Sequence, residues 1–151
     1  MIADITLAIF HFFQSGLIFH EIGHLFVTSL FALFLYKKTK SKKLFWITLF
    51  VTFVIDLDHL IDYILVNGFH ISLYSFLSGD YFKVAGKAFV FAHAWEWVGI
   101  LAIIGEKRGG WRSIYATVVL GMISHLIWDA IHVESIMFYS ILYRLSLGFV
   151  L

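Results

Sequence analysis

His20-Glu21-Ile22-Gly23-His24 reads H-E-x-x-H. Two imidazoles one helical turn apart can ligate a divalent ion, and the glutamate beside them is placed to take a proton from the water such an ion activates. Ile55-Asp56-Leu57-Asp58-His59 offers D-x-D-H. Asp56 with His59, His93 with Glu96, and His125 with Asp129 and His132 all carry the three-, four- or seven-residue spacing that keeps side chains on one helical face. On an ideal helix Asp56 and Asp58 diverge by about 160°, so both reach one site only where the helix is distorted. Asp56 and His59 are therefore the expected ligands, with Asp58 secondary and Asp62 on its flank as a supporting or loop-facing acid. His11 and His70 have no paired partner and read as interfacial or structural, and Trp95, Trp97 and Trp128 read as packing residues.

These groups sit in apolar surroundings. Six of the eight histidines (His20, His24, His59, His93, His125, His132) and six of the ten acids (Glu21, Asp56, Asp58, Asp62, Glu96, Asp129) lie within long hydrophobic runs. An ionised group left in lipid costs about 2.5–3.5 kcal/mol even on a lenient insertion scale, so something compensates them. A dication neutralises carboxylates and accepts imidazole lone pairs at once. The depths agree as well: His24 stands twelve residues before Tyr36, Asp56 twelve after Leu44, His93 twelve before Gly105 and His125 thirteen after Arg112. At 1.5 Å per residue each is about 18 Å from one membrane edge, slightly beyond the midplane. Antiparallel helices then bring His20, His24, Asp56, His59, His93, His125 and Asp129 into one layer of a bundle core. That is more than one tetrahedral ion can use, so one or two ions, zinc by ligand type, are expected, with Glu21 or Glu96 as general base.

The elements that must position this set are membrane helices. The chain has 151 residues, 61% hydrophobic and only 14% charged, with mean hydropathy +0.90, whereas a soluble domain is about half apolar and a quarter charged. The apolar runs at 16–36, 44–66, 82–105, 112–132 and 135–151 are each long enough to cross hydrocarbon. The expectation is an all-α polytopic bundle in a single domain, 1–151: about five spanning helices and a short N-terminal apolar helix at 3–14, which Ser15-Gly16 either kinks away from the next helix or lets lie at the interface. That stretch lacks the basic start and the cleavage site of a signal peptide. The chain contains no proline, so helix breaks must come from glycine or polar side chains. It contains no cysteine, which removes thiolate ligands and nucleophiles.

Five of the eleven basic residues fall in Lys37–Lys43, and Lys107, Arg108 and Arg112 mark a second basic loop. Both loops are expected on the cytoplasmic side, with 67–81 on the other side and the C-terminus returning inward after a fifth span. Lysines in such loops serve chiefly to anchor lipid headgroups. A net charge of +1 gives no nucleic-acid footprint. The partners expected are the bilayer and a lipid-like or membrane-embedded substrate able to reach a buried layer.

Taken in order, Gly23-His24-Leu25, Asp56-Leu57-Asp58-His59, His93 with Glu96, and Ser124-His125-Leu126 with Asp129 resemble the membrane-bound metal-dependent hydrolase family of small multi-span bacterial and archaeal proteins. The resemblance runs over nearly the whole chain and implies a helical membrane fold with a metal centre and hydrolytic activity. Two places depart from it: Ile55 stands where that family has proline, and His93-Ala94-Trp95-Glu96 replaces a basic H-R-G-x-T-H-S segment, removing a phosphate-gripping arginine. On its own, H-E-I-G-H also resembles site-2 intramembrane metalloproteases, with Asp56 as the completing ligand, although their L-D-G motif is replaced by Leu57-Asp58-His59. Two other classes use the same residues: a metal or proton transporter, since intramembrane acids and histidines also form ion relays, and a structural membrane protein stabilised by metal.

Overall fold

Ser41 and Ser113 each turn a hydroxyl onto the N–H three residues on, Leu44 at 3.3 Å and Ala116 at 3.1 Å, and so start two of the long helices as N-caps. A computed structural model describes residues 17–78 and 80–150; the expected N-terminal helix at 3–14 lies outside them. The described chain is all-helical: α1 Leu17–Thr39, α2 Lys42–Ile55, α3 Asp58–Asn67, α4 Leu73–Ser78, α5 Asp80–Ala85, α6 Trp95–Lys107, a 3-10 turn Gly110–Arg112, α7 Ile114–Val133, a second 3-10 turn Met137–Tyr139, and α8 Ile141–Ser146. α7 is the central column, packing against α1, α2 and α6.

α1, α2 and α7 share a buried apolar cluster, Leu35, Leu44 and Leu120, and beside it a contact layer of hydroxyls and glycine. Thr28 Oγ1 meets Thr52 Oγ1 at 2.8 Å and Ser124 Oγ at 2.9 Å, and all three side chains are fully buried. At Gly121, a Cβ would sit 2.8 Å from Val51 Cγ1 and 3.1 Å from the Thr48 carbonyl oxygen, so α2 and α7 touch nearly backbone to backbone. Small and hydroxyl side chains are the usual means of close helix approach in lipid, where apolar burial supplies no drive between helices.

Three helical stretches are long and apolar enough to cross a membrane: Phe19–Thr39, Lys42–Asn67 and Ile114–Val133. The other two runs expected to span do not form continuous helices. In 82–105, the chain from Gly86 to Ala94 is irregular, with Gly86 at φ 59° and Val90 at φ 27°. There the N–H groups of Phe89 and Val90 donate to the Asp62 carboxylate at 3.0 and 3.2 Å and that of Ala92 to Asp58 at 2.7 Å. Backbone donors taken by carboxylates cannot build a helical ladder, and helix resumes only at Trp95. In 135–151, Glu134 ends α7 in the left-handed region at φ 55°, and Ser140 starts a separate six-residue helix. The C-terminal segment does not return across the bundle. Ala88 donates to the Phe149 carbonyl at 3.0 Å and Lys87 bridges to Val150, which keeps residues 149–150 beside the 86–94 loop.

Within the second stretch the helix breaks at Asp56-Leu57. Leu57 bonds to Val54, His59 to Asp56 and Leu60 to Leu57, all three-residue links at 3.1–3.2 Å in place of four-residue ones. This is the distortion that D-x-D-H requires if both acids are to serve one site. It is made without proline, by a tightened 3-10 turn.

Candidate metal centre

Three groups of donor atoms lie where α1, α2, α7 and the 86–94 loop come together; one, Asp58 with His59 and His93, shares His93 with a second, and the two triads that share no residue are the following. In the first, His20 Nε2 and His24 Nε2 are 3.0 Å apart and lie 3.1 and 2.9 Å from Asp129 Oδ1. In the second, His93 Nε2 and His125 Nε2 are 2.9 Å apart, and each is 3.3 Å from Asp56 Oδ1. Asp129 Oδ2 faces the second triad, 3.1 Å from His125 Nε2 and 3.6 Å from His93 Nε2. His59 Nε2 stands at the edge, 3.6 Å from Asp56 Oδ1.

The donor set fits a divalent ion. Two neutral imidazoles whose Nε2 atoms sit at 2.9–3.0 Å each have only one proton to offer, and here the same atoms also converge on carboxylate oxygens. Ligands about 2.0–2.1 Å from a tetrahedral ion stand about 3.3–3.4 Å from one another, close to the Asp56, His93 and His125 spacings. Asp56 Oδ2 is buried with no hydrogen-bond partner among the described residues, an acceptor in want of a cation.

Behind the ligands, each element is held in place. His93 Nδ1 lies 3.0 Å from both oxygens of Asp58, so this carboxylate orients the ring and leaves Nε2 free to ligate. Arg144, buried although charged, donates through Nη1 to the carbonyls of Phe89 and Val90 and through Nη2 to that of His93 at 3.0 Å. Together with Asp62 it clamps the loop that carries His93. Trp128 Nε1 donates to the His20 carbonyl at 3.1 Å and ties α1 to α7 at the level of the first triad.

The structure thus brings together His20, His24, Asp56, His93, His125 and Asp129, with His59 at their edge and Asp58 behind His93. Glu21 is half-buried within electrostatic reach of Asp56, His20, His125 and Asp129. Glu96 is placed differently. Its carboxylate accepts from the Ser140 hydroxyl at 2.6 Å and from the N–H groups of Ile141 and Leu142 at 3.1 and 3.2 Å, capping α8 instead of facing the triads. Against the desolvation that would raise it, these donors hold the Glu96 carboxyl below its ordinary range, the reverse of what a general base needs. His132 is exposed, bonded through Nδ1 to the Trp128 carbonyl at 2.9 Å, with its ring 4.7 Å from that of His20.

Sequence reasoning passed over Arg144. The available signal was a single arginine in an otherwise apolar run, a placement too costly in lipid to be idle. No family model matches this chain, and neither a curated protein nor a solved structure does.

Proposed function

We propose that this protein is a membrane-embedded metal-dependent hydrolase acting on a lipid-like substrate. The observation that supports it is the convergence of six ligand side chains with one open edge. His24, His93, His125 and Asp129 are closed off at no more than 7% side-chain exposure, while His20, Asp56 and His59 remain 27–31% exposed. Exposed apolar residues flank that edge, Phe19 and Ile22 on α1 and Leu57 beside the α2–α3 break. A substrate with an apolar body could reach the edge from the bilayer without leaving it.

His20, His24, Asp56, His93, His125 and Asp129 would hold divalent metal, zinc by ligand type, which when bound supplies water ionised near neutral pH and polarisation of an ester carbonyl or phosphoryl oxygen. Glu21 is the general base: it follows His20 in the chain and lies half-buried within electrostatic reach of Asp56, His125 and Asp129. The buried ligands and the apolar wall exclude bulk water, which strengthens every charge interaction in the site. We place the basic end of the bundle in the cytoplasm of a prokaryotic cytoplasmic membrane.

The test is hydrolysis of fluorogenic acyl and phosphoryl esters, and of a membrane peptide, by detergent-purified protein. Zinc is removed by chelator and restored. Activity should follow zinc, and Glu21→Gln should lower turnover by about 10²–10⁴-fold with metal content unchanged. Zinc-bound protein that hydrolyses none of the three, but moves zinc or protons across reconstituted vesicles, would replace this reading with a transporter.

A further inference from the structure

The six ligands do not converge on one point. The His24 and His125 rings are stacked, 3.9 Å between centroids and 11° from parallel. Their Nε2 atoms both face the Asp129 carboxylate, but different oxygens of it: His24 meets Oδ1 at 2.9 Å and His125 meets Oδ2 at 3.1 Å. Parallel rings so oriented aim their lone pairs side by side, at two points about one stacking distance apart. That separation matches the roughly 3.5–4 Å between ions of two-metal hydrolytic centres.

From this we infer a dinuclear centre in which Asp129 bridges two ions, Oδ1 to one and Oδ2 to the other. The inference deepens the metal part of the functional reading above and rests on it. The two positions are unequal. The inner ion would be held by Asp56, His93 and His125, with Asp129 Oδ2, 3.1 Å from His125 Nε2 and 3.6 Å from His93 Nε2, completing a set of four. The outer ion has three, His20, His24 and Asp129 Oδ1, leaving a fourth position on the side where His20 is 30% exposed. Three protein ligands with an open place is the arrangement of catalytic zinc sites. The outer position is also the one next to Glu21 in the chain. Substrate would therefore enter beside His20 and Glu21, while Asp56, His93 and His125 would keep the Asp129 carboxylate in register.

Titration of the metal-free, detergent-solubilised protein with zinc, followed by metal analysis after desalting, should give two ions per chain. His24→Ala and His125→Ala should each retain one, and Asp129→Ala should retain fewer than either. A single shared ion predicts one per chain for the wild type and loss of it in each variant, and that result overturns the dinuclear assignment. A second measurement needs no variant. Cobalt(II) bound at one equivalent gives the spectrum of an isolated paramagnetic ion, and the second equivalent should quench it by coupling through the Asp129 bridge. Saturation at one equivalent, or two equivalents with additive uncoupled spectra, likewise overturns it. Two coupled ions with no ester or peptide hydrolysis would uphold the bridge and remove the hydrolase. Hydrolysis with a single ion would do the opposite.

Discussion

Asp58 and Glu96 show how little a carboxylate's type says about its work. Asp58 touches no ligand atom of the two triads; it grips the far nitrogen of His93 at 3.0 Å and takes the Ala92 N–H at 2.7 Å. A carboxylate in that position raises the basicity of the ligating nitrogen and fixes its tautomer. Asp58→Asn keeps an acceptor for both bonds but loses the charge. It should weaken zinc affinity by about 10–100-fold, measured by competition with a chromophoric chelator, while thermal stability of the metal-free protein is nearly unchanged. Glu96→Ala should behave in the opposite way. Removing the acceptor for Ser140, Ile141 and Leu142 should cost about 0.5–2 kcal/mol of stability, read from the unfolding midpoint, with zinc content kept. Zinc loss in Glu96→Ala at full stability would return Glu96 to the site.

At the scale of elements, the regular helices were legible and the irregular ones were not. His20 with His24 and His125 with Asp129 are four apart on unbroken helices, α1 and α7, and each pair does lie on one face and close on one set of donors. His93 and Glu96 are three apart in sequence, but helix begins only at Trp95, so the shared-face argument has no helix to act on and the two side chains part. What dissolves the helix before Trp95 is distant in the chain: Asp58 and Asp62 take backbone donors from residues 27–34 positions away, and Arg144 takes carbonyls more than 50 away. No local pattern encodes those partners. Gly23 is the reverse case, a residue in the motif whose role is set by packing. A Cβ there would fall 2.0 Å from Trp128 Cζ2, and the indole is pinned by its bond to the His20 carbonyl at 3.1 Å. Gly23→Ala should push α1 from α7 at the first triad, costing about 1–3 kcal/mol and lowering zinc uptake. A second change, Trp128→Leu, should recover part of the stability, and additive losses in the double variant would show that the two residues do not press on each other.

The whole molecule is polarised along its long axis. Eight of the eleven lysines and arginines, Lys37, Lys38, Lys40, Lys42 and Lys43 together with Lys107, Arg108 and Arg112, lie in or beside the two connections at the end where α1 and α6 finish and α2 and α7 begin. Phe34 of α1 and Trp111 of the first 3-10 turn, 5.5 Å apart between ring centroids, tie the bundle together at the end of these two connections. The donor atoms lie toward the other end. His24 is fifteen residues before Thr39 and Asp129 fifteen after Ile114, about 22 Å along each helix in a hydrocarbon layer of about 30 Å. The irregular 86–94 loop and the C-terminal segment gather at that same end, where backbone without a helical ladder is tolerated because Asp58, Asp62 and Arg144 satisfy it. On the proposed orientation, with the basic end in the cytoplasm, the end that carries the donor atoms would face outward. Since the chain has no cysteine, single replacements can report this without background. Phe69→Cys, in the exposed connection after α3, should react with a membrane-impermeant maleimide in intact cells. Glu106→Cys, exposed at the end of α6, should react only after the membrane is opened. The reverse pattern would place the basic end outside, and labelling of both from one side would mean that these helices do not separate the two ends across a bilayer.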